Sequence, residues 1–328
     1  MLLENIARFL ERFANPLSRI TDIIGRGILA LLVLLITADV VMRYFFNSPI
    51  KGSYELVQFM LSMIVFLGLA FMQTKKGHVS VSLLTSKLSS SQNSVIKSAT
   101  YLLCLIIFSL VSWRCIMQAE VLRTSNTLSD VLSIPNFPFM YLVAFGSILI
   151  CLIFVIDFLR SLDSVIKECE HPRLWFVLDG IFVLLLITIP VWLHWLPFDI
   201  SRPAMGIIGI VLLILLLFSS MPIGPVMALV GFVGFSYLVN TEASLGILGT
   251  SPFRTASNHS LSTIPLFVLM GLLCFHAELS KDVYTTARNW VGRLPGGLAM
   301  STVGGCAGFA AVSGWPRQSP WAHWHCLR

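Results

Sequence analysis

Four charged residues, Asp39, Arg43, Lys51 and Glu55, lie in an otherwise apolar part of the chain, the segment ADVVMRYFFNSPIKGSYELVQFM at 38–60. Asp39 and Arg43 are four residues apart, which places them on one face of a helix and suits an ion pair. Glu55 lies at the start of the next apolar run. A carboxylate within a membrane span is costly unless it is paired, so the expected chemistry is charge pairing. Two interpretations stay open: a structural ion pair near a membrane interface, or a contact to a partner subunit or to the other half of the chain.

Ser313 is followed by Gly314, and a serine in such a pair could be the nucleophile of a protease. Such a serine needs a histidine base within hydrogen-bond reach. His259 falls in a predicted loop, His276 lies near the end of an apolar run, and two more histidines lie in the C-terminal tail. No base is placed for the serine, so we expect that the chain is not an enzyme.

The C-terminal tail WPRQSPWAHWHCLR at 315–328 contains His323, His325 and Cys326, which have the side chains of a metal-binding set. The seven cysteines of the chain are dispersed and indicate neither a disulfide framework nor zinc-ligand spacing. One interpretation of the tail is metal binding, which predicts stoichiometric zinc uptake that is lost when residues 323–326 are deleted.

The elements that must position these residues are membrane helices. The chain is 56% hydrophobic and 12% charged, against about 25% charged residues in soluble domains. Several apolar runs reach the roughly 17 to 25 residues that cross the bilayer as a helix, and the alternation of barrel strands is absent. We predict an all-α polytopic membrane protein with about eight transmembrane helices and a partial re-entrant hairpin. The spans lie near 27–46, 56–74, 98–117, 138–159, 175–196, 204–220, 223–240 and 263–278, with a further apolar segment from about 296.

The distribution of Lys and Arg predicts the orientation. With the N-terminus inside, 14 of the 22 Lys and Arg fall in inside segments and six in outside segments, as the positive-inside rule requires. We therefore expect a cytoplasmic N-terminus. The same bias accounts for the net charge of +6 without any nucleic-acid partner.

The chain divides into parts of different composition. Residues 1–20 predict an interfacial amphipathic helix, since apolar residues recur among charged ones at helical spacing. A four-helix unit rich in Leu, Ile and Val covers 21–162, and a linker with one connecting span covers 163–200. Residues 201–314 carry repeated Gly and Pro, which at membrane depth indicate broken helices beside a cavity. This last part is therefore predicted to carry the transport site.

Two sets of motifs resemble one transporter family. The runs DVVMRYFFNSPIKGSYEL (39–56), GHVSVSLL (77–84) and SIPNFPFMY (133–141) resemble the small membrane subunit of tripartite ATP-independent periplasmic (TRAP) transporters. Ser82 departs from that pattern, in which an Asp is expected. Three further runs resemble the large subunit of the same family: MPIGPVMALVGFVG (221–234), SLSTIPLFVLMG (260–271) and LPGGLAMSTVGGCAGFAAVSG (294–314). By this resemblance the chain is a fused permease, with the span near 175–196 joining its two parts.

The resemblance implies secondary transport across the bacterial inner membrane. A periplasmic binding protein would deliver an organic acid, such as a dicarboxylate, and sodium would drive uptake; no cofactor beyond this coupling ion is expected. An intact large permease subunit and membrane lipids are further expected partners.

The resemblance also implies residues of a substrate and ion site. Ser313 and Gly314 would form the tip of the first hairpin and a possible sodium site, with Ser260 and Ser262 near the entry of the preceding helix. In the small-residue run before the tip, Gly304 and Gly305 would allow close backbone approach. Close helix packing is the alternative interpretation for these small residues.

A second interpretation of the tail follows from the resemblance. If permissive codons for residues 315–328 are read two bases out of frame, they encode ATAIAVGTLALPE, which resembles the large subunit after its hairpin tip. We therefore expect a frameshift just after Gly314, an out-of-frame tail at 315–328, and a chain that is inactive alone because its large half is truncated. The alternative is a structural small-subunit module that only associates with an intact large subunit.

Overall fold

In a computed structural model of the protein, the described residues are 2–78, 90–168, 202–293 and 295–313. Their regular elements are all helical, which confirms the predicted all-α class. The helices are α1 (Leu2–Phe45), α2 (Ser53–Thr74), α3 (Ser90–Thr124), α4 (Phe137–Glu168), α5 (Arg202–Phe218), α6 (Ile223–Leu238), α7 (Thr241–Ala256), a 3₁₀ turn (His259–Ser262), α8 (Thr263–His276), α9 (Leu279–Val291) and α10 (Gly297–Ser313).

The chain is a polytopic membrane protein. In the described residues, five helices are long and apolar enough to cross a membrane, and α5 and α6 are shorter apolar helices. The predicted span near 175–196 lies outside the described residues, whereas every other predicted apolar segment falls in a helix. The five candidate spans are Glu4–Phe45, Ser53–Thr74, Gln92–Thr124, Phe137–Lys167 and His259–His276.

Helix α1 is continuous over 44 residues and includes Pro16 in its interior. The interfacial helix predicted at 1–20 is therefore the first part of α1 and not a separate element. The reason is a single buried stripe that runs along the whole helix and keeps one face against its neighbours. Its members recur at spacings of three, four or seven residues and are Ala7, Ala14, Ser18, Thr21, Gly25, Leu32 and Asp39.

Two ion pairs connect the beginning of α1 to the end of α4. Arg160 Nη2 lies 2.5 Å from Glu11 Oε1, and Lys167 Nζ lies 3.8 Å from Glu4 Oε2. Both basic side chains are more than half exposed, so each pair adds at most about 1 kcal/mol to stability. Burial of the α1 stripe is the larger contribution to the position of this helix.

The helices form two compact units, Met1–Ser257 and Asn258–Arg328. In the first unit, α5 and α6 share an apolar core with α3 and α4, built from Leu103, Ile107, Ile150, Phe154, Leu216, Met221, Val226 and Leu229. The second unit contains the 3₁₀ turn and helices α8 to α10.

Helices α2 and α4 cross in contact at Gly146. A Cβ atom added there would lie 2.4 Å from the backbone oxygen of Phe66, a distance that requires the helices to separate. We expect Gly146→Ala to lower the free energy of unfolding by about 1 to 3 kcal/mol, the usual cost of overpacking. Thermal unfolding in detergent measures this change.

Gly68 in α2 provides a matched control, since a Cβ atom added to it meets nothing within 4 Å. Gly68→Ala should leave the unfolding midpoint unchanged or raise it, because alanine favours the helix by up to about 1 kcal/mol. Equal midpoints for the two variants would contradict the close approach at Gly146.

Candidate functional site

Asp39 connects the end of α1 to the start of α2. Its carboxylate accepts hydrogen bonds from Arg43 Nη2 at 2.6 Å and from the backbone N–H of Ile50 at 2.9 Å. Asp39 is only 8% exposed, so these donors compensate for the loss of water. The structure therefore brings Asp39 and Arg43 together, and both help to order loop 46–52.

Glu55 contacts a different loop, the connection between α3 and α4. Its Oε1 accepts from the N–H of Val131 at 2.7 Å, and its Oε2 accepts from the N–H of Leu132 at 2.9 Å and from the Ser129 hydroxyl at 2.8 Å. The side chain is 7% exposed. A buried carboxylate with several donors from one loop fixes that loop to the first turn of α2.

The two loops pack together into a continuous surface, which we call the loop cap and define as residues 46–52 and 125–136. Gly52 has a φ of 76°, and a Cβ atom added to it would lie 2.4 Å from Leu132 Cγ. Within the second loop, Leu128 and Pro135 form an antiparallel bridge. Since the Asp39 and Glu55 carboxylates are committed to hydrogen bonds inside the molecule, this end is suited to holding a fixed surface rather than to acid-base chemistry.

Helix α7 packs against α3 at a point that sequence reasoning missed. Arg114 Nε donates to the backbone oxygen of Leu245 at 3.0 Å, and Cys115 Sγ donates to the backbone oxygen of Gly249 at 3.6 Å. A Cβ atom added to Gly249 would lie 3.1 Å from the Arg114 backbone oxygen. Apolar side chains from α2, α3, α4 and α7 surround this contact: Phe66, Val111, Ala119, Met140, Val143, Ala144 and Ala256.

Two signals in the sequence point to this junction. Asn240 accepts a hydrogen bond from the N–H of Ala243 at 2.6 Å and thereby caps α7, and an Asn followed by Thr-Glu-Ala is typical of a helix start. Arg114 is a basic residue near the end of an apolar run, where it needs an acceptor. Neither signal identifies Leu245 as the partner.

In the second unit, two glycines of α10 that the sequence assigned to the ion and substrate site, Gly304 and Gly305, lie against α9. A Cβ atom added to Gly305 would lie 3.3 Å from Tyr284 Cα, and one added to Gly304 would lie 4.0 Å from Ala287 Cβ. This arrangement is close helix packing, one of the two interpretations that the sequence left open. A role for Gly304 and Gly305 in binding an ion or substrate stays a prediction.

Ser260 and Ser262, which the sequence assigned to the ion and substrate site, lie in the 3₁₀ turn that precedes α8. The N–H of Ser260 donates to Asn258 Oδ1 at 3.0 Å, and Thr263 Oγ1 donates to the Ser260 backbone oxygen at 2.8 Å. Ser262 is 2% exposed and directly precedes α8. Local hydrogen bonds thus hold Ser260 in the 3₁₀ turn, and Ser262 is held by burial at its end.

The predicted sodium site at Ser313 and Gly314 stays a prediction. Ser313 ends α10, whereas Gly314 and the tail at 315–328 lie outside the described residues. Within the described ranges, no group of three or more His, Cys, Asp and Glu side chains is arranged to hold a metal ion. A sodium site of the predicted kind would use backbone carbonyls and hydroxyls instead.

Two family models match separate parts of the chain. Residues 32–164 match the family described as tripartite ATP-independent periplasmic transporters, DctQ component. Residues 210–316 match the family described as tripartite ATP-independent periplasmic transporter, DctM component.

Three curated relatives are similar to parts of the chain. A protein named isethionate TRAP transporter permease protein DctMQ, from Oleidesulfovibrio alaskensis, is 27% identical over an alignment of 110 positions that covers 28% of this chain and 17% of the relative. A putative TRAP transporter small permease protein from Haemophilus influenzae is 31% identical over 32% of this chain and 66% of the relative. A C4-dicarboxylate TRAP transporter large permease protein DctM from Rhodobacter capsulatus is 32% identical over 27% of this chain and 21% of the relative. The chain thus spans about a fifth of the DctMQ and DctM relatives and 66% of the small permease.

Proposed function

This chain belongs to the permeases of the tripartite ATP-independent periplasmic transporters, and we propose that it serves in sodium-coupled uptake of an organic acid. It is a transporter component and not an enzyme. The match of one chain to both permease components carries the proposal, and the junction between α3 and α7 supports it. These helices come from the segments that match the DctQ and DctM components, and the bond from Arg114 to Leu245 joins them within one compact unit.

The substrate class is proposed from the names of two relatives. One is named for isethionate and another for C4-dicarboxylates, and both compounds are small organic acids. We propose an organic acid of this kind, delivered by a periplasmic binding protein. Sodium is the proposed coupling ion, with Ser260, Ser262, Ser313 and Gly314 near its path.

The proposed orientation places the loop cap on the periplasmic side of the bacterial inner membrane. This follows from the excess of Lys and Arg in the segments assigned to the inside, with a cytoplasmic N-terminus. A binding protein would then approach the end of the bundle that Asp39 and Glu55 hold in a fixed shape. Fixed loops reduce the entropy cost of docking.

We further propose that the chain alone does not transport. Residues 210–316 match the DctM component, and the similar region is 21% of the large permease from Rhodobacter capsulatus. The alternative is a small-subunit module that associates with a separate, intact large permease subunit. The frame change after Gly314 stays a prediction, which resequencing of the locus tests.

Reconstitution into proteoliposomes tests this function. With an inward sodium gradient, a binding protein from the same genome and its radiolabelled acid, we expect no uptake by this chain alone. Adding an intact large subunit should give uptake that collapses when sodium is replaced by potassium. Uptake by the chain alone would overturn the proposed inactivity, and uptake without sodium would overturn the coupling. Association without uptake would favour the alternative.

A further inference from the structure

A cavity of about 420 Å³ lies between α1 and α2, where the end of α2 opposite the loop cap meets the middle of α1. Three basic side chains line it, Arg19 and Arg26 from α1 and Lys75 from the end of α2. Asn15 adds an amide to the lining. A concave site with three cations and an amide donor suits a phosphate group.

The charges of this cavity are largely uncompensated. Arg26 pairs with Asp22 at 3.0 Å, but its side chain is 65% exposed and keeps further donors. In the part of the chain that the structure describes, no ion pair involves Arg19 or Lys75. The site therefore holds more positive than negative charge.

The backbone at the end of α2 does not compete for these cations. The oxygens of Phe71, Met72 and Gln73 accept hydrogen bonds from the N–H groups of Lys75, Gly77 and Lys76, at 2.8 to 3.1 Å. These bonds satisfy three of the last four carbonyls of α2, which usually remain free at a helix end. An incoming anion thus meets fewer free carbonyl oxygens at this end.

Exposed side chains continue from the cavity along α1 toward the hydrocarbon core. Ala30 lies four residues after Arg26, and Leu34 lies four residues after Ala30, so the three side chains share one helix face. Ala30 is exposed, and Leu34 is 66% exposed. An inorganic anion gains nothing from these side chains, whereas an amphiphile buries its acyl chains against them.

We propose that this cavity binds the phosphate headgroup of an anionic phospholipid, with its acyl chains along Ala30 and Leu34. The cations supply the attraction to the headgroup, and the exposed apolar side chains on the membrane side of Arg26 distinguish a lipid from a free anion. The inference concerns α1 and α2 alone and does not depend on transport or on sodium.

Lipid binding to the purified full chain tests the proposal. The measurement is native mass spectrometry of the detergent-solubilised protein, titrated with phosphatidylglycerol, phosphatidylcholine or inorganic phosphate. Arg19→Gln with Lys75→Gln removes two cations from the cavity. The matched control, Arg12→Gln with Lys97→Gln, removes two exposed cations that do not line it.

We expect phosphatidylglycerol to bind the native chain and the control more tightly than phosphatidylcholine does. The cavity variant should bind phosphatidylglycerol roughly 30-fold more weakly, given about fivefold per basic residue near an anionic lipid. Arg19→Lys with Lys75→Arg keeps the charge and should retain most of the affinity. If the cavity variant fails to fold, Lys75→Gln alone should still weaken binding about fivefold.

Three results would overturn the proposal. One is equal affinity of the cavity variant and the control for phosphatidylglycerol. Another is equal affinity of the native chain for phosphatidylglycerol and phosphatidylcholine. The third is competition by inorganic phosphate at the concentration at which the lipid binds, which would identify a site for free anions.

Discussion

Glu55→Gln is expected to lower the free energy of unfolding by about 3 kcal/mol, because buried donors would lose their acceptors. The carboxylate accepts from the N–H groups of Val131 and Leu132 and from the Ser129 hydroxyl. A glutamine of the same size has one oxygen in place of two, and its NH₂ group would face a donor. The loop cap should therefore open locally before the helices separate.

Thermal unfolding in detergent and limited proteolysis between residues 125 and 136 measure this effect. Asp130→Asn is the matched control, since it removes a carboxylate from the same loop at an exposed position. We expect faster cleavage and a lower midpoint for Glu55→Gln only. If both variants behave like the native chain, Glu55 does not hold the loop cap.

The second large effect is expected at the junction of α3 and α7. Gly249→Leu places a side chain where an added Cβ atom is already 3.1 Å from the Arg114 backbone oxygen, so α7 must move away from α3. Displacing α7 also breaks the bond from Arg114 to Leu245. Overpacking of about 3 kcal/mol corresponds to roughly 100-fold weaker association of the two helices.

A cleavable chain reveals this weakening. With a protease site inserted after Glu170, the native fragments should remain associated in detergent after cleavage, and a tag on the N-terminal fragment should recover both. The Gly249→Leu fragments should be recovered together less completely, because only the core that α5 and α6 share with α3 and α4 still joins them. Gly246→Leu is the control on the same helix, since a Cβ atom added to Gly246 meets nothing within 4 Å. Equal recovery for both variants would mean that α3 and α7 do not hold the fragments together.

The apolar spans and the pairing of Asp39 with Arg43 could be predicted because both depend on local spacing. Span length is set by the bilayer, and an i,i+4 pair is set by helix geometry. The continuity of α1 was not predicted. Amphipathic spacing in its first residues is compatible with an interfacial helix, and only the buried stripe against the neighbouring helices distinguishes the two.

The partners of Glu55 and Arg114 could not be predicted. Glu55 binds backbone N–H groups more than 70 residues away, and a backbone donor has no sequence signature. Arg114 donates to a backbone oxygen 131 residues away, on a helix that the sequence analysis did not predict. For the glycines of α10, composition alone could not separate helix packing from ion binding, since both require small residues.

The uninterrupted α1 sets a fixed length within the bilayer. Arg26 and Arg43 are 17 residues apart on this helix, about 26 Å along its axis. The hydrocarbon core of a typical bilayer is about 30 Å thick. The buried stripe holds α1 against its neighbours, so a thicker bilayer must thin locally or draw the arginine side chains toward its surfaces. A thicker bilayer therefore strains α1, and α1 both contributes Asp39 to the contact with the loop cap and lines the basic cavity.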